Sequence, residues 1–110
     1  MNWNTISSAE QLEAIKAASF QQPQVIFKHS TRCSISSMVL NRLERSETPP
    51  HISFHFLDLL AHRSISDKIA ADFSVYHESP QVLLIKHGEC VYDESHQGIR
   101  MDELAAQAEH

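Results

Sequence analysis

The sequence is poor in the features that mark several protein classes. It has only two cysteines among 110 residues, too few for a small scaffold held together by disulfide bonds. No apolar run approaches the ~18 residues of a transmembrane helix, and the first four residues, MNWN, lack the basic and then apolar pattern of a secretory signal. We therefore expect a cytoplasmic protein without a membrane partner, whose thiols are kept reduced.

Basic sequence is scarce as well. The formal net charge is −5 and no run of five basic residues occurs, whereas a nucleic-acid-binding domain normally presents a basic face. We therefore expect no nucleic-acid partner. The hydrophobic content of 42% and charged content of 21% are ordinary for a soluble globular protein, and the length suits a single domain over residues 1–110. For the two cysteines, catalysis, redox chemistry and plain packing all remain open.

The spacing of apolar residues predicts helices and strands in alternation. A capping box between Ser7 and Glu10 is expected to begin the first helix, and Ser64, Ser66 and Asp67 are candidate N-caps of the third. The predicted elements are a helix over 8–20, a strand over 24–29, a helix over 34–45, a strand over 52–59, a helix ending before residue 75, a strand over 79–86, a turn at 87–88, a strand near 90–92 and a helix over 100–107. This order predicts an α/β protein with a thioredoxin-like fold, in which helices flank a four-stranded mixed central sheet.

Cys33 lies where the strand over 24–29 passes into the helix over 34–45. The unpaired N–H groups at the start of a helix favour a thiolate, and with nearby cations they lower a cysteine pKa from ~8.5 to between ~3.5 and ~7.5. Lys28, His29 and Arg32 are expected to supply the positive charge. Cys33 is therefore a candidate nucleophile, and the alternative is a buried cysteine that only packs.

Two other positions stand out in the sequence. Ser36 stands three positions after Cys33, where a dithiol motif of the thioredoxin type has its second cysteine. Pro80 follows Ser79 at the start of a predicted strand, a position that proline tolerates because the first residue need not donate to the ladder.

The other cysteine is predicted to lie at the opposite end of the sheet. In the hairpin that turns at His87 and Gly88, Cys90 is about five residues or ~17 Å from Pro80 along the strand, at ~3.3 Å per residue. Bridged Cα atoms lie within ~7 Å, so we interpret Cys90 as a packing cysteine rather than a resolving one.

Metal binding and hydrolysis find little support in the sequence. The eight histidines, His110 among them, show no paired spacing with cysteine of the kind that holds zinc, and we expect no bound metal. Nothing marks Ser36 as an activated serine beside an oxyanion loop.

Two segments carry a family resemblance, with a weaker third. They are residues 27–33 (FKHSTRC) with Ile35 and Ser36, residues 77–81 (HESPQ) running into 84–86, and then Ser95 with His96. With these segments the chain resembles the monothiol bacilliredoxin family of thioredoxin-like proteins over nearly its whole length. It departs from the family at Ser34, where members usually have proline, and at Gln97, where they tend to have an aromatic residue.

The resemblance implies a thiol–disulfide oxidoreductase that removes bacillithiol from protein mixed disulfides. The Cys33 thiolate would attack the small-thiol sulfur, and a second small thiol would then reduce Cys33. Bacillithiol, glutathione and coenzyme A would all meet the same motif. The expected partners are this small thiol, as co-substrate, and S-thiolated client proteins, with no bound cofactor.

The resemblance also implies roles for the residues near Cys33. Ser36 is expected to donate a hydrogen bond to the thiolate, and Arg32 and Ser34 are expected to stabilise it. The residues expected to bind substrate are Thr31, Ser79, Pro80, Ser95 and His96. Pro80 is expected to be a cis-proline lying against Cys33.

Fold alone does not fix function, so two alternatives stay open. One is a redox-inert module of the same fold that binds an extended partner, and the other is a sensor whose Cys33 accumulates a small-thiol adduct without turnover.

Overall fold

A computed structural model describes residues 1–109, so that His110 lies outside the description. The described chain forms five strands, four α-helices and one short 3₁₀ helix. In chain order they are β1 (Trp3–Thr5), α1 (Ala9–Ala18), β2 (Gln24–His29), α2 (Ser34–Arg45), β3 (Ser53–Asp58), α3 (Arg63–Phe73), β4 (Gln81–Lys86), β5 (Glu89–Ser95), the 3₁₀ helix His96–Gly98 and α4 (Met101–Ala108).

The strands form one mixed sheet in the order β1-β3-β2-β4-β5. Strands β1, β3 and β2 run parallel, whereas β4 is antiparallel to both β2 and β5. The predicted α/β fold with a mixed sheet is confirmed, but the predicted number of four strands is wrong. The missed strand, β1, is three residues long and pairs at the sheet edge with β3, and so short a segment has no alternation that a sequence pattern can reveal.

Each face of the sheet is covered by two helices. Val25 and Phe27 of β2 pack on the side of α2 and α4, whereas Ile26 packs on the side of α1 and α3. This division follows from the alternation of side chains along a strand. Because both faces are covered, β2 is buried over its whole length.

The helix starts differ from the prediction at two places. The capping box of α1 joins Ser8 and Gln11 rather than Ser7 and Glu10, with the Gln11 N–H donating to Ser8 Oγ over 3.4 Å and the Ser8 N–H donating to Gln11 Oε1 over 3.0 Å. Both Ser7 and Ser8 have a suitable hydroxyl, and local sequence alone did not separate them. Helix α3 begins earlier than predicted, with His62 as N-cap in place of a serine or aspartate and with no capping hydrogen bond from its side chain.

Helix α2 and the presence of the β4–β5 hairpin agree with the prediction, but β4 begins at Gln81 rather than Ser79, because the chain bends at Ser79 and Pro80. Helix α2 covers the predicted residues 34–45. His87 and Gly88 form the turn of the hairpin, and both have positive φ, at 54° and 78°, as a tight type I′ turn requires. Of the helices within residues 1–109, none has the length and apolar character needed to cross a membrane.

Candidate active site

The register of the sheet brings three distant segments to one end. Lys28 of β2 lies opposite Gln81 of β4, and Gln81 lies opposite Ser95 of β5. Next to the pair of Gln81 and Ser95, the His96 N–H donates to the Pro80 carbonyl over 2.9 Å. The loop that follows β2, the turn before β4 and the end of β5 are therefore neighbours, and these are the three segments of the sequence resemblance.

Cys33 is the N-cap residue of α2, as predicted. Its backbone is extended, with φ −109° and ψ 119°, and its side chain makes no capping hydrogen bond. The Cys33 N–H donates to the Ser30 carbonyl over 3.2 Å, and the Ser37 N–H donates to the Cys33 carbonyl over 3.1 Å. Cys33 is half-buried. The thiol therefore lies at the positive end of the helix. Because Cys33 is only half-buried, its reaction with a partner is sterically possible.

The residues around Cys33 differ in exposure. Thr31 and Arg32 form an exposed turn before it, and Ser34 is exposed as the first residue of α2. These three sequence neighbours of Cys33 are therefore accessible to a partner.

Ser36, by contrast, is fully buried, and its hydroxyl has other partners than the expected one. Its Oγ lies 2.6 Å from His29 Nδ1 and accepts a hydrogen bond from the Ser30 N–H over 3.1 Å. The two contacts join α2 to the end of β2 and to the loop before Cys33. The hydroxyl thus fixes the loop on which the cysteine stands, and its described contacts are to His29 and Ser30 rather than to the Cys33 sulfur.

Of the three basic residues expected to surround the thiol, two have other roles. Lys28 is fully buried and points to the α3 side of the sheet, where its Nζ lies 3.3 Å from the Ser66 carbonyl. His29 is buried on the opposite face, and its ring packs 5.4 Å from the Phe56 ring. Burial lowers the pKa of His29, so its neutral form is favoured. Arg32 alone is exposed, and the prediction that Lys28 and His29 supply positive charge beside Cys33 is wrong.

The Ser79–Pro80 peptide bond is cis, as the resemblance implied. The Ser79 hydroxyl is buried without a hydrogen-bond partner in the described chain. Within residues 1–109 the Ser79 N–H and C=O also make no hydrogen bond to another backbone group. The bend at Ser79 and Pro80 before β4 therefore offers a backbone donor and acceptor at the same end of the sheet as Cys33.

The third segment is held in an unusual backbone conformation. His96 has a φ of 55°, in the left-handed region that few non-glycine residues adopt. Arg42 of α2 donates through Nη2 to the Gln97 carbonyl over 3.0 Å and also to the Ile99 carbonyl. The helix that begins at Cys33 thus also holds the segment that contains His96.

Glu78 and Arg42 are site residues that the sequence reasoning missed. Glu78 Oε2 lies 3.7 Å from His96 Nε2, and both side chains are about half exposed. Glu78 lies inside the HESPQ segment, which was a usable signal. Arg42 had no signal, because its contacts are with carbonyl groups about 55 residues away.

Cys90 lies far from this end of the sheet. It pairs with Ile85, next to the hairpin turn, and its Sγ donates to the Tyr92 carbonyl over 3.4 Å. Burial raises the pKa of the Cys90 thiol to about 11. Both cysteines are unpaired. The predicted position of Cys90 at the opposite end is confirmed, and no second thiol stands beside Cys33. Among residues 1–109, no three His, Cys, Asp or Glu side chains cluster as a metal site requires.

Comparison with known proteins gives consistent matches. A family model described as monothiol bacilliredoxin BrxC matches residues 4–104. A solved structure described as a candidate oxidoreductase with a thioredoxin fold is 29% identical, with a TM-score of 0.77, and the match covers 97% of this chain and 93% of that one. Thioredoxin from Malassezia sympodialis is 18% identical, with a TM-score of 0.73 and coverage of 99% and 90%. Thioredoxin from Fasciola hepatica is 19% identical, with a TM-score of 0.73 and coverage of 96% for both chains. The two thioredoxins are too distant to show more than the fold, and they confirm it as thioredoxin-like.

Proposed function

We propose that the chain, which belongs to the monothiol bacilliredoxin family, removes a low-molecular-weight thiol from protein mixed disulfides. Family membership and the thioredoxin-like fold both support a thiol redox function. The observation that carries this proposal is the half-buried Cys33 at the N-terminus of α2, with a buried serine at position 36 and the other cysteine at the far end of the sheet. A single thiol in this environment performs exchange in two intermolecular steps.

In the first step, the Cys33 thiolate attacks the small-thiol sulfur of the mixed disulfide. The bond between that sulfur and the client sulfur breaks, the client cysteine leaves as a thiolate that takes a proton from solvent, and a disulfide forms between Cys33 and the small thiol. In the second step, another small-thiol molecule attacks as its thiolate and releases Cys33. In the net reaction the client cysteine is reduced to a free thiol, and the attacking small-thiol molecule is oxidised by joining the small thiol that came from the client in a symmetric disulfide.

The residues around Cys33 have separate tasks in this proposal. The positive end of α2, including the N–H of Ser34, and the Arg32 side chain stabilise the thiolate. Ser79 and Pro80 bind the extended client backbone, and Thr31, Ser95 and His96 bind the small thiol; these segments meet at one end of the sheet. Ser36 contributes by fixing the loop that carries Cys33.

Family membership favours bacillithiol as the small thiol, and a cytoplasmic site of action follows from the need for a reduced thiol pool. Gln97 stands where relatives tend to have an aromatic residue, and this difference bears on which small thiol the protein binds. The choice of small thiol is therefore tested directly with competing thiols.

The test compares wild-type protein with Cys33→Ser and Cys90→Ser. Each reduced protein is incubated with a client protein carrying bacillithiol, glutathione or coenzyme A as a mixed disulfide, and the masses of client and enzyme are followed with time. We expect wild type and Cys90→Ser to release the small thiol fastest from the bacillithiolated client and to carry it transiently, while Cys33→Ser is inactive.

Three results would contradict the proposal. Equal activity of Cys33→Ser would exclude this cysteine as the nucleophile. Alkylation of Cys33 at pH 6 no faster than that of a model thiol of pKa ~8.5 would indicate the redox-inert binding module. An adduct on Cys33 that persists in excess small thiol would indicate the sensor.

A further inference from the structure

Lys28 carries a buried positive charge in strand β2 and has no role in the two thiol–disulfide exchange steps. Lys28 follows Val25, Ile26 and Phe27 in a strand buried throughout, and the Lys28 side chain itself has no exposed surface. Burying an ammonium group without full hydrogen bonding is strongly unfavourable, and an apolar residue of similar length would fill this space without that penalty. The contacts of Lys28 therefore point to a specific role.

These contacts lead to the loop that joins α3 to β4. Lys28 Nζ lies 3.4 Å from His77 Nδ1 and 3.3 Å from the Ser66 carbonyl, and Ser66 Oγ also lies 3.4 Å from His77 Nδ1. An ammonium group only donates, so His77 Nδ1 is the acceptor and the proton of the neutral imidazole is on Nε2. One buried cation thus fixes both the position and the tautomer of His77.

The next strand holds the same loop at the adjacent residue. Gln81 lies directly opposite Lys28 in the sheet, and its Nε2 donates to the Tyr76 carbonyl over 2.9 Å. Two paired strand residues therefore hold two consecutive loop residues, Tyr76 and His77. Only Glu78 then separates the held part of the loop from Ser79.

We propose that Lys28 is a positioning residue which, through His77, holds the loop before β4 in the conformation that presents the Ser79 backbone to the client. This inference rests on the proposed function, because it assigns to Ser79 and Pro80 the binding of an extended mixed-disulfide substrate. It goes beyond that function because it assigns a part in client binding to Lys28 and His77, on the opposite face of the sheet from His29.

The protonation of Lys28 is compatible with this role. Burial lowers the pKa of Lys28 to about 8, and the nearby Asp67 carboxylate opposes the shift. The side chain is therefore mostly an ammonium at pH 7. The pKa of His77 is lowered by burial and by the positive charges of Lys28 and Arg63, against the effect of Asp67 and Glu78, which keeps His77 as a neutral acceptor.

The kinetic test compares Lys28→Met with wild type on two substrates. One is an extended peptide carrying the small thiol as a mixed disulfide, and the other is 4,4′-dithiodipyridine, which reacts with Cys33 without needing the loop. We expect the KM for the peptide to rise about tenfold, equivalent to about 1.4 kcal/mol, while the rate with dithiodipyridine stays within about twofold. Lys68→Met is the matched control, because Lys68 is on α3 but pairs with Asp72 at the surface; it should leave both substrates unchanged.

A second variant keeps the test decisive if Lys28→Met does not fold. His77 is exposed as a residue, so His77→Ala should fold and should raise the peptide KM to a similar extent. If both singles fold, the double variant should be no worse than the worse single, because the two changes remove the same contact. Multiplied effects, an unchanged peptide KM, or equal loss with both substrates would overturn the inference.

Backbone order measured by NMR relaxation separates this inference from the proposed function. Loss of Lys28 or His77 should lower the order parameters of the Glu78 and Ser79 amides, which make no hydrogen bond to another backbone group within residues 1–109, and leave that of Ile26 unchanged. If wild type lacks activity and the loop nevertheless loosens in the variants, the proposed function fails and the positioning contact stands. If wild type is active and the loop is equally ordered in the variants, the positioning role fails alone.

Discussion

Replacing Ser36 by alanine should reduce stability much more than it reduces the reactivity of Cys33. The hydroxyl is fully buried and makes two hydrogen bonds, one with His29 Nδ1 at 2.6 Å and one from the Ser30 N–H at 3.1 Å. Without it, a buried imidazole nitrogen and a partly buried N–H lose their partner. Since an orphaned buried polar group costs about 1–3 kcal/mol and the Ser30 amide is less buried, the sum is about 2–4 kcal/mol.

The assay is thermal unfolding of the reduced protein, measured beside Cys33 alkylation. A chain of this length has an unfolding entropy near 0.23 kcal/mol/K, so the expected loss corresponds to a Tm lower by roughly 9–17 °C. The alkylation rate of Cys33 should change by no more than about threefold. Ser37→Ala is the control, because Ser37 is the adjacent residue of α2 and is exposed; its Tm should fall by no more than about 2 °C, as is usual for a surface change.

The opposite pattern would refute this reasoning. If Ser36→Ala keeps the wild-type Tm but slows Cys33 alkylation more than tenfold, the hydroxyl acts on the thiolate, as first inferred from the sequence. The contacts with His29 and Ser30 would then contribute little to stability.

Two further predictions concern buried groups away from the site. Burial raises the pKa of Cys90 to about 11, so iodoacetamide at pH 8 should label Cys90 roughly two hundredfold more slowly than a free thiol of pKa ~8.5. Unfolding in urea should remove the difference, and equal labelling of the folded protein would contradict the burial of this thiol. Burial also lowers the pKa of His55 to about 4, so below about pH 6.5 the unfolded chain binds a proton that the folded protein does not, and stability should fall by up to about 3 kcal/mol as the pH decreases from 6.5 to 4. The stability of His55→Gln, whose amide can still bond Gln24, should fall less steeply with decreasing pH. The control is His51→Gln at an exposed position. Identical slopes of stability against pH for His55→Gln and wild type would exclude His55 as a source of the pH dependence.

The elements around Cys33 were predictable because their signals are local. A short β-branched and aromatic run, followed by a polar loop and then apolar residues at helical spacing, predicts β2 and α2, and both match within residues 24–45. The same locality explains the errors. Adjacent serines competed for the cap of α1, and the three-residue β1 forms only because β3 offers a parallel edge.

The sequence named candidate site residues but not their contacts. Motif resemblance pointed to Cys33, Ser36, Ser79 and Pro80, and the structure confirms Cys33 as the N-cap of α2 and the cis bond before Pro80. The resemblance could not show that the Ser36 hydroxyl is engaged by His29, since that contact depends on how the loop before α2 folds back on the helix.

The sequence by itself determined the order of strands and α-helices from α1 to α4, the single cysteine at a helix start and the absence of a second thiol three residues later. These properties depend on residues that are close together in the sequence, so the sequence pattern predicts them. Only the tertiary structure decided the fate of the charges beside that cysteine. Lys28 and His29 are neighbours in the sequence, but alternation along β2 sends them to opposite faces of a sheet covered on both sides. His29 therefore meets Ser36 beneath the cysteine loop, while Lys28 meets His77, 49 residues away in the chain.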